Sequence, residues 1–301
     1  MKYTKIKNTD LKVSKLMYGC SSFWARKQFS DKMAINLVHQ AIGGGVNFFD
    51  TGPSYGAGLG EERLGRAISN HRSDVVISTK AGTFVSEKGK IYHDFSSTKV
   101  LKSVEESLKR LQIDYIDILF LHGPRLEHIN DDLLNSLAKL REKGKVRYLG
   151  VNSFQNDVIL HCLNYQIFQG YMFEYNLLNQ ENETLIDAVD AKGNFSISAT
   201  SVARALFNPK TFVPFHLSSI WYILRTLRYQ RELYNKSRNF RFLNSLPNMS
   251  GAQAAIAFVL NNPKLTSAAF GTTNLKHLSE NIGAVDMELD EVLLNRIKDL
   301  A

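Results

Sequence analysis

The stretch VNFFDTGPSYG, residues 46–56, decides how the chain is read. Its first four residues form a short apolar run suited to a fully buried strand, and the run delivers an aspartate, Asp50, at its end. A tight loop then carries a tyrosine, Tyr55, that no apolar neighbour requires. Seven further runs share the character of the first: LMYG at 16–19, VVIST at 75–79, YIDILFL at 115–121, VRYLGV at 146–151, FQGYMF at 168–173, FSISA at 195–199 and TSAAF at 266–270. Between them lie segments of helical periodicity with start signals, such as Ser30-Asp31 before MAINLVHQAI and Ser97 before VLKSVEESLKRL. Near-continuous apolar strands separated by amphipathic helices imply parallel strands covered by helices. Eight of them predict an α/β fold, a (β/α)8 TIM barrel, with residues 1–301 as a single domain.

Ahead of the first run, residues 2–13 alternate apolar and polar about an Asn-Thr-Asp turn and predict an N-terminal β-hairpin. After the seventh run, residues 207–250 exceed an ordinary connection and predict a long insertion that shapes or covers an active site. Within it, Arg225, Arg228, Arg231, Lys236, Arg238 and Arg241 alternate with aromatics. Leu224, Leu227, Arg231 and Tyr234 fall at helical spacing, so the stretch reads as a helix with one packed and one solvated face.

An open nucleotide-binding sheet would carry a glycine fingerprint in its first turn. The candidate, GAGLGEERLG at 56–65, has Glu61 where the last glycine belongs and lacks a Lys-Ser/Thr ending, so it reads as a loop entering a helix near Glu61.

The sequence is 44% hydrophobic and 22% charged, enough to bury a core and too apolar for disorder. Its +8 net charge, from 37 basic and 29 acidic residues, favours phosphate-bearing partners without naming one. A polar N-terminus and the lack of any apolar run near about eighteen residues argue against export and a membrane span. Cys20 and Cys162 are too few and too distant for a zinc site or a disulfide scaffold, which points to the cytoplasm and to no metal.

In a barrel of this kind the C-terminal strand ends converge on one face, where the chemistry lies. Asp50 ends the second strand, Lys80 the third and His122 the fourth, with Tyr55 on the loop after Asp50. Taken one at a time, polar strand ends are common; four on one face suggest a shared role. A phenol of pKa about 10 is a poor acid at neutral pH, and an adjacent ammonium lowers that pKa; Lys80 is the candidate ammonium. Asp50 would keep Lys80 charged, and His122 would donate a hydrogen bond to a substrate oxygen. The set suits proton delivery to a carbonyl oxygen as charge develops on it. Having no nucleophile, it needs a hydride-donating cofactor.

With NFFDTGPSYG and GEERLG, VVISTKAG, DYIDILFLHGP, GKVRYLGVNSF, YNLL and AFGTTNLKHLSENIGA in this order, the chain resembles the aldo-keto reductase family from the hairpin to about Ala284. The resemblance implies an NADP(H)-dependent oxidoreductase that reduces an aldehyde or ketone, sugar-derived ones included, with NAD as the other cofactor candidate. It matches Asp50, Tyr55, Lys80 and His122 to the family's catalytic tetrad. It places cofactor contacts at Gly19, Cys20, Asp50, Asn152, Ser153, Met172, Ser201, Val202, Arg204, Gly271, Thr272, Thr273, His277, Glu280 and Asn281.

Several of these depart from the family pattern. The Ser-Asn pair is reversed at Asn152 and Ser153, Met172 replaces a glutamine, and the usual Ser-Pro-Leu-x-x-Gly runs Thr200 to Ala205. His277 stands where an arginine is common. Trp24, Tyr55, Phe84 and His122 are the expected substrate contacts, Phe23 also follows the first strand, and Arg125 suits a solvated loop better than an acidic substrate. The partner is a small carbonyl compound rather than a nucleic acid or a membrane. Two other readings stay open. In one, Lys80 forms a Schiff base, which an ion pair with Asp50 opposes. In the other, the barrel binds cofactor as a regulatory or interaction subunit with little turnover.

Overall fold

The computed structural model describes residues 1–209, 228 and 231–300, with the side chain of Arg204 also outside the description. Two short antiparallel strands, β1 (Tyr3–Lys5) and β2 (Lys12–Ser14), form the expected hairpin. β3 (Leu16–Gly19), β4 (Phe48–Asp50) and β5 (Val76–Ala81) follow as barrel strands. A second hairpin, β6 (Thr83–Val85) with β7 (Ile91–His93), interrupts the series. β8 (Ile116–His122), β9 (Val146–Asn152), β10 (Gly170–Glu174), β11 (Phe195–Ala199) and β12 (Ser267–Phe270) complete it.

The eight barrel strands are parallel and closed: β12 pairs with β3, Ala268 opposite Leu16, so the sheet has no edge. All eight coincide with the apolar runs of the sequence, within one or two residues at most ends. β4, β5 and β10 show the largest shifts; in β4, Val46 and Asn47 precede the strand and Asp50 belongs to it.

Alternation along each strand sorts the core into two layers. Met17, Phe48, Val76, Ile118, Phe120, Met172 and Ile197 fill the inside, together with Ile6, Leu11 and Val13 of the first hairpin. That hairpin therefore plugs one end of the barrel. It is the N-terminal end, since the Ser14 amide donates to Asn47 Oδ1 at 2.7 Å just before β4 begins. The opposite side chains, among them Phe49, Ile77, Leu119 and Leu149, pack under the surrounding helices. With the bottom stoppered, the C-terminal ends remain open, and polar groups can collect there.

The helices follow the sequence signals closely. Asp31–Gly43 is capped by Ser30, whose hydroxyl accepts from the Met33 amide. Ser97–Leu111 begins at Ser97 itself with Ser96 as cap, one residue before the expected position. The helix after β4 runs Leu59–Ile68, starting two residues ahead of Glu61. In the long segment after β11, a helix spans Arg231–Ser237 and a 3-10 stretch Arg238–Ser245. Leu224, Arg225 and Leu227 lie outside the described residues, as does the stretch 210–227 of the expected insertion to which they belong. Among the described residues no helix is long and apolar enough to cross a membrane.

Candidate active site

Register places the strand-end side chains. Gly19 lies opposite Asp50 and Asp50 opposite Ser78, while His122 lies opposite Asn152, so the ends of five adjacent strands meet at one mouth. There a cleft of about 690 Å³ opens, lined by Asp50, Tyr55 and His122, with Trp24 and Phe23 on one side.

Lys80 is 1% exposed, and its ammonium donates to Asp50 Oδ2 and, at 2.9 Å, to the Thr51 carbonyl. The other Asp50 oxygen accepts from Ser78 Oγ at 2.7 Å. A buried ammonium survives only when paired and hydrogen-bonded in this way. Burial, the largest influence, lowers the Lys80 pKa, yet the pairing wins, because the Asp50 carboxylate beside it raises the pKa above the ordinary value. Lys80 Nζ also stands 4.8 Å from the centre of the Tyr55 ring, and the Tyr55 and His122 rings are 6.1 Å apart and nearly perpendicular.

The Tyr55 phenol differs from the sequence expectation. Its pKa is raised, because burial, the largest cause, outweighs the downward pull of the Lys80 ammonium, and Asp50 adds to the rise. Lys80 acts in the expected direction but does not prevail. Tyr55 therefore holds its proton firmly in the free protein, the form a proton donor needs.

Burial, then the Lys80 charge, then His93 push His122 down to about 3, so its ring is neutral at physiological pH. Its Nδ1 is buried without a hydrogen-bond partner, a costly arrangement. Since the unfolded histidine protonates near 6.5, the unfolded state binds the extra proton between about 6.5 and about 3. Stability from this group is complete above that window and declines as pH falls through it. His122→Gln should flatten this decline, as read from urea midpoints between pH 4 and 7; an identical slope in both proteins would remove His122 as its source.

The positions expected to hold a cofactor divide. Gly19, Asn152, Met172, Ser201, Val202, Gly271, Thr272 and Thr273 all line the same cleft as Asp50 and Tyr55. Asn152 Nδ2 donates to the Met172 carbonyl at 3.0 Å, and Ser201 Oγ lies 3.0 Å from Ser198 Oγ. A Cβ on Gly271 would come 3.4 Å from the Gly19 carbonyl, so backbone rather than side chain forms the wall there.

Ser153 instead turns inward to its own loop, accepting from the Gln155 amide at 3.1 Å. Cys20 is fully buried behind the mouth, its amide donating to the Asp50 carbonyl and its thiol pKa well raised by burial. His277 is exposed on the first turn of the helix Leu275–Gly283; Glu280 and the buried Asn281 lie further along it, away from the cleft lining. In the Thr200–Ala205 loop, Thr200, Ala203 and Ala205 take left-handed backbone angles, Ala205 at φ 53° where the family pattern has glycine. Alanine thus adopts there a conformation that glycine reaches at no steric cost.

On the substrate side, Trp24 and Phe23 line the cleft, Trp24 1% and Phe23 44% exposed. Phe84 does not: its ring packs against Tyr92 in the β6–β7 hairpin, with Lys99 Nζ 4.9 Å above it. Arg125 is exposed and pairs with Glu127 at 3.7 Å. Phe154, 56% exposed, lines the cleft and was not anticipated, although an aromatic just beyond a strand end is a readable signal. Among the described residues no group of three His, Cys, Asp or Glu side chains is arranged to hold a metal ion.

Residues 15–301 match the model of the Aldo/keto reductase family. The chain is 29% identical over 308 residues to L-galactose dehydrogenase of Arabidopsis thaliana, covering 97% of this chain and 91% of the relative. It is 26% identical over 329 residues to a probable voltage-gated potassium channel subunit beta of the same plant, covering 100% and 96%. Its fold is similar to that of an aldo-keto reductase from Bacillus halodurans in its holo form, with a TM-score of 0.84 at 24% identity, over 100% of this chain and 96% of that one.

Proposed function

Since the chain belongs to the aldo/keto reductase family, we propose that it is an NADP(H)-dependent oxidoreductase that reduces a small aldehyde or ketone to the alcohol, with Tyr55 as the acid. The observation that carries this reading is the meeting, in one cleft, of a protonated phenol, a buried ammonium–carboxylate pair beneath it and a neutral imidazole beside it.

NADP(H), when bound, supplies the hydride. The chain's own residues do the rest. The neutral ring of His122 donates a hydrogen bond to the carbonyl oxygen without adding charge to the cleft. Tyr55 hands its proton to that oxygen as negative charge gathers there. The phenolate left behind forms next to the Lys80 ammonium, which stabilises it, and Asp50 keeps Lys80 charged throughout. The same pairing argues against a Schiff base, because a lysine whose pKa is raised is a weak nucleophile.

The cleft residues suit an extended dinucleotide. Asn152 and Met172 would flank the nicotinamide amide, and the backbone amides and hydroxyls of Gly271, Thr272 and Thr273 would face phosphate, alongside Ser201 and Val202. NADP is preferred over NAD here on the strength of those threonines, with His277 standing where an arginine is common. We place the protein in the cytoplasm because both of its cysteines are buried free thiols. The substrate is an uncharged carbonyl compound, sugar-derived aldehydes included, since among the described residues no Lys or Arg side chain lines the cleft.

The test is NADPH oxidation at 340 nm over a panel of aldehydes and ketones, run beside NADPH and NADH binding by fluorescence. Turnover with at least one neutral carbonyl is expected, with NADPH bound more tightly than NADH. Binding without any turnover would favour a cofactor-binding regulatory subunit instead.

A further inference from the structure

One buried guanidinium organises the wall of the cleft that carries Phe23 and Trp24. The chain here makes a 3-10 turn, Ser22–Ala25, followed by a second turn in which the Phe29 amide donates to the Arg26 carbonyl at 3.0 Å. Such a loop leaves carbonyls that no ladder satisfies. Arg63 collects them. Its Nη1 donates to the carbonyls of Trp24 at 2.5 Å and Arg26 at 3.0 Å, its Nη2 to that of Phe29 at 2.5 Å, and its Nε to Asp31 Oδ1 at 2.8 Å. Nη2 also lies 2.7 Å from the same Asp31 oxygen, and the side chain is 1% exposed.

Arg63 stands on the helix Leu59–Ile68, which begins four residues after Tyr55. A second contact joins the same two loops. Gly56, next to Tyr55, approaches so closely that a Cβ there would lie 1.9 Å from the Ala25 carbonyl oxygen. The loop bearing the phenol and the loop bearing the aromatic wall are thus braced against each other by groups outside the Asp50, Tyr55, Lys80, His122 set.

We propose that Arg63 is a positioning residue that sets substrate selectivity by holding the Phe23–Trp24 wall at a fixed distance from Tyr55, an inference that rests on the reductase reading of the cleft. The side-chain chemistry explains why arginine is used. A planar fork of five donors spans three carbonyls and a carboxylate at once, whereas a lysine in its place offers three donors from a single point. A carbonyl compound large enough to stack on Phe23, which Trp24 adjoins from its buried position, depends on that wall for its orientation. A small aldehyde reaching only Tyr55 and His122 does not.

The experiment uses Arg63→Lys and Asp31→Asn in a Trp221→Phe background; Trp221, outside the described residues, is one of the chain's two tryptophans, so Trp24 becomes the sole reporter. KM for a bulky aromatic aldehyde should rise about tenfold in Arg63→Lys and a few-fold in Asp31→Asn, while kcat/KM for propanal changes less than about threefold. NADPH affinity should stay within about twofold, and acrylamide quenching of Trp24 in the free protein should increase about threefold as the wall loosens.

An unchanged ratio between the two aldehydes, or unchanged quenching, overturns the proposal. Should Arg63→Lys fail to fold, Asp31→Asn decides by the same readouts, its side chain being 48% exposed. A parent protein that turns over no carbonyl sinks the reductase reading, whereas the quenching still decides on the clamp.

Discussion

Tyr55→Phe is expected to lower kcat for carbonyl reduction by about 10²- to 10⁴-fold, the usual range for loss of a positioned proton donor. The substitution removes one oxygen and its proton and keeps the ring that packs beside His122 and above Lys80. Folding and NADPH affinity should therefore hardly move, and the loss should fall on kcat rather than on cofactor binding. Steady-state kinetics with NADPH titrations on the same samples make the comparison. A variant that keeps wild-type kcat would show that the proton comes from elsewhere.

Lys80→Met should damage both chemistry and stability. The chemistry suffers because the phenolate formed on proton transfer loses its stabilising cation, at a cost of about 10²-fold or more in kcat. The stability suffers because Asp50, 6% exposed, keeps its hydrogen bond from Ser78 but loses its counter-charge. Breaking a buried pair by removing one partner typically costs about 3–5 kcal/mol, while replacing both by apolar groups is often near neutral. The double variant Lys80→Met/Asp50→Leu should thus regain most of the urea midpoint and none of the activity. Recovery of activity in the double variant would mean that the pair is structural only.

Why some of this could be read in the sequence, and some not, is physical. Strands covered on both faces become nearly continuous apolar runs, so β8, β9 and β11 stand out with almost their observed limits. β4 was harder to delimit because its last residue is a charged Asp50, tolerated in the ladder only through Lys80 and Ser78, and pairing across strands is invisible in a linear pattern. The β6–β7 hairpin was missed, although TFV and IYH flank a polar stretch containing Gly89; with that hairpin unseen, Phe84 was assigned to the mouth rather than to Tyr92.

Spacing located Asp50, Tyr55, Lys80 and His122 because strand ends in a barrel share one face. It did not indicate how deeply each is buried, which is why the direction of the Tyr55 shift reversed. Glu61 marks a helix start and Arg63 belongs to the GEERLG block, but nothing in the sequence signals that either is buried. Both read as ordinary polar positions of a surface helix, yet each is fully buried, Glu61 accepting from Thr79 Oγ1 at 2.6 Å and Arg110 Nε at 2.7 Å.

Lys80 pulls the Tyr55 pKa down against the rise that burial imposes, and titrating the Tyr55 proton tests this most directly. With ¹³C-labelled tyrosine and the Tyr55 signal assigned by its loss in Tyr55→Phe, the phenol in the free wild-type protein should ionise above the ordinary value of about 10. In Lys80→Met it should move further up, because the ammonium lowering it is gone while burial and Asp50 remain. A Tyr55 that ionises at the same pH with and without Lys80 would contradict the account.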